Sequence, residues 1–346
     1  MIYRTLKRES MAVLVDRLKE GGLVAPVRED GVVVFRPIQG DREVASDYIN
    51  PTNSVKDVFL PQTESLFRFN TAEKGLEIEA TPPEGPKYVL GVRPCDAAAL
   101  ELLDHVFAEG QYTDSYYQRR RAEVTVIGVA CDQVGESCFC TAFGLSPGHR
   151  RGADVMMYRL DDESYLVAFE GERGHRLAEE YPDLFGEAPA EETIEAVVTS
   201  YQSREVPAGR VELDGITEKL DGMFEHPLWA KLAARCLKCG ICTYLCPTCH
   251  CFCLDDEALG YEGVRYRCWD SCMYPDYTLM AGGHNPRPEK ANRTRQRFMH
   301  KLNYFVHNHG EFQCVGCGRC VDKCPVGLHM LAVIYDIKGV DSDGGQ

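Results

Sequence analysis

The chain has 346 residues, 44% of them hydrophobic and 26% charged, a composition typical of a globular protein of two or three domains rather than a fibrous or disordered one. Its formal net charge of −15 argues against nucleic acid as a partner, because phosphate binding is dominated by basic surface. The sequence predicts neither a signal peptide nor a membrane span. Metal binding in a reducing cytoplasm therefore explains its 17 cysteines better than disulfides do.

The beginning of the chain predicts scaffold elements. Residues 8–20 have the apolar periodicity of a short helix, and strands are expected at 23–27 and 32–35 around the turn Asp30-Gly31. Residues 37–81 show no resolvable pattern.

The next segment predicts a strand–helix–strand unit. Residues 87–92 read as a buried strand, residues 97–107 as a helix that Asp96 would cap, and residues 124–130 as a second strand. If the two strands are parallel neighbours, their carboxyl ends share one edge of the sheet, where α/β folds place ligands.

Four cysteines follow these elements. They are Cys95, Cys131, Cys138 and Cys140. Cys95 precedes the helix and Cys131 directly follows the second strand, so we expect them to meet the Cys-x-Cys pair at one edge. Four convergent thiolates predict a 4Fe-4S cluster, whose negative charge the helix terminus would favour. Zinc at this site and cysteines that are simply buried are the alternatives.

The domain boundary is expected soon afterwards. Residues 156–169 predict a β-hairpin, and residues 176–201 two helical segments with a solvated acidic face. We predict an α+β protein whose N-terminal α/β domain occupies residues 1–210. A C-terminal two-cluster ferredoxin-like domain would occupy residues 211–346.

Two copies of the run C-x2-C-x2-C-x3-C-P, starting at Cys236 and Cys314, carry the strongest signal. This run is the bacterial ferredoxin signature, in which the fourth cysteine ligates the other cluster. Cluster one is assigned to Cys236, Cys239, Cys242 and Cys324, and cluster two to Cys314, Cys317, Cys320 and Cys246. Zinc is the alternative, but two complete runs closed by Cys-Pro fit a zinc ribbon poorly. With the N-terminal site, the predicted number of 4Fe-4S clusters is three.

An insertion at about residues 250–311 separates the two runs. We expect it to be helical, with a helix near 290–307 whose apolar residues are Phe298, Leu302 and Phe305. Five further cysteines lie in or beside it, namely Cys249, Cys251, Cys253, Cys268 and Cys272. A metal site at Cys249, Cys251 and Cys272 is one hypothesis, and burial or a redox-reactive thiol is the other.

The insertion is also basic. Residues 261–301 contain eight Lys or Arg and four Asp or Glu. Basic surface there could offset the cluster charge or dock an acidic partner. Alternatively, Arg265, Arg267 and Arg287 could bind an anionic substrate such as sulfite.

Several motifs together resemble a known family. They are Gly91-Val-Arg-Pro-Cys-Asp96, Cys131 with Cys138-Phe-Cys140, Cys246-Pro-Thr-Cys-His-Cys251, Trp269-Asp-Ser-Cys272 and Ala281-Gly-Gly-His-Asn-Pro-Arg287. Together they resemble the 4Fe-4S dicluster subunits, which include the β subunit of cytosolic sulfhydrogenases, the A subunit of anaerobic sulfite reductase and subunits encoded beside heterodisulfide reductase. The sequence departs from this family at Cys253, where an aspartate is expected, and at Cys268, which is additional.

The resemblance implies an electron-transfer subunit. It would connect a flavoprotein subunit that binds FAD and NAD(P)H with hydrogenase, sulfite reductase or heterodisulfide reductase subunits. The sequence has no dinucleotide-binding glycine turn, P-loop or nucleophile elbow, so we expect no flavin, nucleotide or substrate site of its own. A catalytic reductase with a substrate site in the insertion, and a redox sensor or scaffold, are the alternatives. Residues 341–346 are expected to fray.

Overall fold

A computed structural model describes residues 1–72 and 75–340, so the predicted fraying of 341–346 lies outside the described residues. Its strands, numbered along the chain, are Ile2–Lys7 (β1), Leu23–Glu29 (β2), Val32–Pro37 (β3), Thr63–Asn70 (β4), Glu77–Ala80 (β5), Tyr88–Val92 (β6), Thr125–Val129 (β7), Val155–Arg159 (β8), Ser164–Phe169 (β9), Phe185–Gly186 (β10), Phe252–Leu259 (β11) and Glu262–Trp269 (β12). Its α-helices are Met11–Glu20 (α1), Lys56–Phe59 (α2), Pro94–Phe107 (α3), Ser115–Glu123 (α4), Gly171–Glu180 (α5), Glu191–Gln202 (α6), Ile216–Asp221 (α7), Leu228–Arg235 (α8), Ile241–Tyr244 (α9), Lys290–Met299 (α10), Phe305–His309 (α11), Arg319–Lys323 (α12) and Met330–Lys338 (α13). None of these helices is long and apolar enough to cross a membrane.

The chain forms two compact units. The first comprises Met1–Phe59, Glu84–Val211 and Val315–Gly318, and the second comprises Leu60–Pro83, Glu212–Cys314 and the chain from Arg319 onward. Helices and strands occur together, as an α+β class requires. The main break lies close to residue 210, but residues 60–83 group with the second unit because β4 pairs there with β12.

The first unit is built on a sheet of eight strands in the order β10-β1-β9-β8-β7-β6-β2-β3. The pairs β2/β6, β6/β7 and β7/β8 are parallel, and the other pairs are antiparallel. The apolar residues of β6 are all buried, as expected for a strand covered on both faces. On one face α1 and α5 contribute Leu14, Leu18 and Leu177 to the core, and on the other face α6 contributes Tyr201.

The predicted strand–helix–strand unit is present. Strands β6 and β7 are parallel neighbours, and α3 lies in the connection between them. The prediction that Asp96 caps the helix is wrong. Helix α3 begins at Pro94, a residue suited to the first helical position because it lacks an N–H, and Asp96 is fully buried in its first turn. The connection also contains α4, which the sequence analysis did not predict.

The second unit contains an antiparallel sheet in the order β11-β12-β4-β5. The predicted helical insertion is only partly helical, because its first part is the β11–β12 hairpin. Strand β12 pairs with β4 along most of its length, with a register shift between Arg265 and Tyr266. The hairpin is thus one half of a sheet whose other half comes from residues 63–80.

The second part of the insertion is helical, as predicted. Helix α10 continues through a π-helical turn, His300–Tyr304, into α11. Phe298, Leu302 and Phe305 are each at most 2% exposed. These side chains anchor the insertion in the core of its unit.

Candidate iron–sulfur centres

The cysteines assigned to cluster one lie together. Cys236, Cys239, Cys242 and Cys324 line a single small cavity in the second unit. Two backbone N–H groups point at their sulfurs: that of Lys238 lies 3.4 Å from Cys236 Sγ, and that of Leu328 lies 3.2 Å from Cys324 Sγ. Lys238 reaches this position with a φ of +58°, a conformation that costs a non-glycine residue energy.

Gly240 is required by the packing of this loop. It has a φ of +76°, and a Cβ at this position would lie 2.4 Å from Tyr274 Oη. The same hydroxyl donates a hydrogen bond to the carbonyl of Cys239 at 3.3 Å. Only glycine therefore allows the aromatic ring to hold the cysteine loop.

A buried arginine faces these cysteines. Arg297 lines the same cavity, is 3% exposed and donates from Nη2 to the carbonyl of Cys242 at 3.1 Å. Its Nε and Nη1 are buried, and neither has a hydrogen-bond partner among the described residues. Burial opposes the charge, but the sulfurs of Cys242, Cys320, Cys249 and Cys246 outweigh that effect, so the pKa of Arg297 is raised.

A buried lysine lies one helical turn further on. Lys301 is 2% exposed, and its Nζ donates to Thr248 Oγ1 at 2.7 Å and to the carbonyl of Gln313 at 2.9 Å. Burial opposes its charge too, but nearby Cys246, Cys249 and Cys314 raise the pKa of the amine above its usual value. Both cations therefore remain charged at neutral pH.

These cations fit an anionic iron–sulfur cluster. The two unpartnered nitrogens of Arg297 are buried donors, and such donors are costly unless an acceptor is present. Thiolates and cluster sulfides are acceptors of the matching charge. The four cysteines that line the cavity, the N–H groups that point at their sulfurs and the buried cations are consistent with such a cluster.

The prediction that the basic residues of the insertion lie on the surface is wrong for four of them. Arg267, Arg293, Arg297 and Lys301 are each at most 3% exposed. Three of them recur every fourth residue along α10 and its extension, so they share one face. That face is directed into the protein.

The cysteines assigned to cluster two are placed in two groups. Cys246, Cys314 and Cys320 belong to the second unit, where they influence Arg297 or Lys301. Cys317 belongs to the first unit, where it lines the cavity of the N-terminal cysteines.

The four N-terminal cysteines also share one cavity. Cys95, Cys131, Cys138 and Cys140 line it together with Asn50 and Cys317. The amide of Asn50 donates to the carbonyl of Cys317 at 2.9 Å and lies 3.9 Å from Cys138 Sγ. Cys95 Sγ is 3.9 Å from Asn50 Oδ1. Asn50 thus connects this site with the second cysteine run, a role that no sequence motif indicates.

Positive groups surround this cavity as well. Arg93 is 5% exposed and donates to the carbonyls of Ile49 at 2.8 Å and Ala130 at 3.3 Å. Arg204 donates to the carbonyl of Cys131 at 2.6 Å. Burial raises the pKa of the Cys131 thiol to about 11, against the opposing effect of Arg93. Burial likewise raises that of Cys140 to about 12.

The cavity is closed by direct backbone packing. The N–H of Phe139 donates to the carbonyl of Gly316 at 2.8 Å. A Cβ on Gly316, whose φ is +58°, would lie 2.4 Å from the carbonyl carbon of Phe139, and one on Gly318 would lie 2.6 Å from the carbonyl oxygen of Ser137. These two glycines let the loop 315–318 approach the Cys-x-Cys loop.

The five cysteines in or beside the insertion form close pairs, one of them with the proposed cluster-two ligand Cys246. A hydrogen bond with Cys249 lowers the pKa of Cys246, and one with Cys272 lowers the pKa of Cys251. Cys253 and Cys268 form a third pair, 3.1 Å apart at their sulfurs. No three His, Cys, Asp or Glu side chains in residues 1–72 and 75–340 converge closely enough to hold a single metal ion.

The arginines suggested for anion binding are engaged elsewhere. Arg267 forms a buried ion pair with Glu64 at 2.7 Å, and Arg265 forms an exposed ion pair with Asp256 at 2.6 Å. Both guanidinium groups are therefore already paired with carboxylates.

Comparison with known proteins agrees with this geometry. The family of 4Fe-4S dicluster domains matches residues 235–328. Over 342 residues, the chain is 32% identical to the sulfhydrogenase 2 subunit beta of Pyrococcus furiosus, covering 98% of this chain and 99% of that protein. No solved structure matches the chain.

Proposed function

The chain belongs to the family of 4Fe-4S dicluster electron-transfer subunits, and we propose that it relays electrons between a flavoprotein subunit and a catalytic subunit of one complex. The flavoprotein would bind FAD and NAD(P)H. The catalytic subunit would be of hydrogenase, sulfite reductase or heterodisulfide reductase type. The observation that carries this proposal is the pair of buried cations, Arg297 and Lys301, that faces cysteines of both ferredoxin-type runs.

Twelve cysteines would hold three clusters. They are Cys236, Cys239, Cys242 and Cys324 for cluster one, Cys314, Cys317, Cys320 and Cys246 for cluster two, and Cys95, Cys131, Cys138 and Cys140 for cluster three. A 4Fe-4S cluster supplies a one-electron carrier, which needs no acid, base or nucleophile from the protein. The chain's part is to hold the thiolates, to exclude water and to set the local charge.

The charge of the protein around each site would set the reduction potential of its cluster. Arg297 and Lys301 stabilise negative charge at the ferredoxin-type sites, and Arg93 and Arg204 do so at the N-terminal site. Cys317 lines the N-terminal cavity, so a ligand proposed for cluster two borders the site proposed for cluster three.

A hydrogenase subunit is the favoured catalytic partner, because the relative that aligns over its full length is a sulfhydrogenase subunit. NAD(P)H chemistry is assigned to another subunit, since this sequence lacks a dinucleotide-binding turn. We further propose that the complex works in the reducing cytoplasm, with no flavin or nucleotide bound to this chain.

The test compares the isolated chain with the assembled complex. The cluster-loaded chain alone, supplied with a chemical reductant, should accept electrons but reduce neither sulfite, disulfides nor protons catalytically. NAD(P)H should reduce it only when the flavoprotein is present. Sustained substrate turnover by the isolated chain would overturn the relay and favour a catalytic reductase.

A further inference from the structure

Two cysteines outside the twelve proposed ligands lie side by side in the β11–β12 hairpin. Cys253 and Cys268 are direct partners in the antiparallel register, and their sulfurs are 3.1 Å apart. We propose that they form a reversible thiol–disulfide exchange site that accepts low-molecular-weight disulfides. This inference is independent of the relay function.

The backbone already has the spacing that a disulfide needs. Residues directly opposite each other in an antiparallel pair have Cα atoms about 4.5–5.5 Å apart, and disulfides span about 4.4–6.8 Å between Cα atoms. The two side chains point to the same face of the hairpin, because opposed residues share a face. Closing the bond therefore requires movement of the side chains but not of the strands.

The pair can also be reached from solution. Both cysteines are partly exposed. Strand β11 is at the edge of its sheet, and Asp255, the next residue on the same face as Cys253, is exposed. Another close pair, Cys251 and Cys272, differs because Cys272 is buried, which provides an internal comparison.

The chemistry balances without any contribution from the iron–sulfur sites. The thiolate of one cysteine attacks a sulfur of a disulfide RSSR, which forms a mixed disulfide and releases RS⁻, protonated to RSH. The thiolate of the second cysteine then attacks the mixed disulfide at the protein sulfur. The Cys253–Cys268 bond forms and a second RSH leaves, so two protein thiols are oxidised while one disulfide is reduced to two thiols.

The pair lies outside the two ferredoxin-type runs, in the hairpin between them. The adjacent residue Trp269 accepts a hydrogen bond at its carbonyl from Tyr244 Oη at 3.3 Å. The hairpin base therefore contacts α9, the short helix that contains Cys242 and precedes Cys246.

The experiment uses the anaerobic, cluster-loaded chain and hydroxyethyl disulfide, a neutral probe. After quenching with a maleimide, digestion and mass spectrometry should identify a peptide linked through Cys253 and Cys268, two hydrogens lighter than the dithiol. Two equivalents of mercaptoethanol should be released per chain, and the iron content should not change. Excess mercaptoethanol should restore both thiols.

The variants Cys268→Ser and Cys253→Ser separate the two steps. Each should stop at a mixed disulfide on the remaining cysteine and release half as much mercaptoethanol as the wild type. Three results with the wild-type chain would contradict the proposal. Cys253 and Cys268 could both remain alkylatable in excess probe, each could carry its own mixed disulfide, or the crosslink could form through Cys251 or Cys272. The wild-type measurement decides the matter even if a variant fails to fold.

Discussion

Arg297 donates a hydrogen bond from Nη2 to the carbonyl oxygen of Cys242 at 3.1 Å, while its two other guanidinium nitrogens are buried without a partner among the described residues. A cation in this position favours the addition of an electron nearby. At an effective dielectric constant of about 20, a unit positive charge about 7 Å away stabilises an added electron by about 2 kcal/mol. This corresponds to a shift on the order of 100 mV in the midpoint potential of a one-electron couple.

The substitution Arg297→Gln should therefore make the midpoint potential of the nearest cluster more negative by roughly 100 mV. Redox titration followed by EPR measures this shift. Arg295→Gln is the matched control, because Arg295 lies on the same helix but bonds the carbonyl of Phe224 at 2.7 Å. Equal shifts in the two variants would show that Arg297 has no special electrostatic role.

Lys301→Met should destabilise the protein. It removes the donor to Thr248 and to the Gln313 carbonyl, and leaving buried acceptors unsatisfied costs about 1–3 kcal/mol in the free energy of unfolding. Denaturant unfolding of the cluster-loaded protein measures the loss. The exposed Lys231 provides the control, since Lys231→Met should change stability by less than about 0.5 kcal/mol. An unchanged stability in Lys301→Met would show that the hydrogen bonds of Lys301 do not stabilise the fold.

Gly316→Ala tests the close approach of the loop 315–318 to the N-terminal cavity. The added Cβ would meet the backbone of Phe139, and with the positive φ we expect a loss of about 3 kcal/mol in stability and earlier loss of iron on heating. Gly310→Ala is the matched control, because Gly310 has a φ of +75° but open space around its Cβ position. It should cost only about 1 kcal/mol. Equal costs would mean that the contact with Phe139 is unimportant.

Cys239→Ala distinguishes a relay from a redox sensor. In the assembled complex, loss of this proposed ligand should abolish NAD(P)H-driven turnover at the catalytic subunit, while turnover with an artificial donor supplied directly to that subunit persists. Full NAD(P)H-driven turnover in the variant would instead support a sensor or scaffold. Iron analysis of the variant shows whether the cluster was lost.

Much of the site could be predicted from local sequence. The spacing of the two ferredoxin-type runs alone assigned Cys324 to the cavity lined by Cys236, Cys239 and Cys242, where the structure places it. Cys95 and Cys131 were expected to meet because parallel neighbouring strands end at one edge, and β6 and β7 have that relationship. Short-range patterns and one topological rule were sufficient in both cases.

The features that were not predicted depend on contacts between distant residues. The β11–β12 hairpin forms part of a sheet with β4, about 200 residues earlier in the chain, and no pattern in residues 252–269 indicates that partner. The number of basic residues in the insertion predicts a basic surface. However, Arg293, Arg297 and Lys301 recur every fourth residue beside the apolar Phe298 and Leu302, and this spacing indicates that the cations lie next to the buried face of the helix. No comparable pattern surrounds Asn50.

The most direct test of the central claim is the iron and acid-labile sulfide content per chain, measured together with EPR of the reduced protein. Three four-iron clusters predict about twelve iron and twelve sulfide per chain, and EPR signals from reduced 4Fe-4S clusters. About eight iron atoms per chain would show that the N-terminal site holds no 4Fe-4S cluster. Zinc in place of iron at the ferredoxin-type cysteines would contradict the electron-transfer function itself.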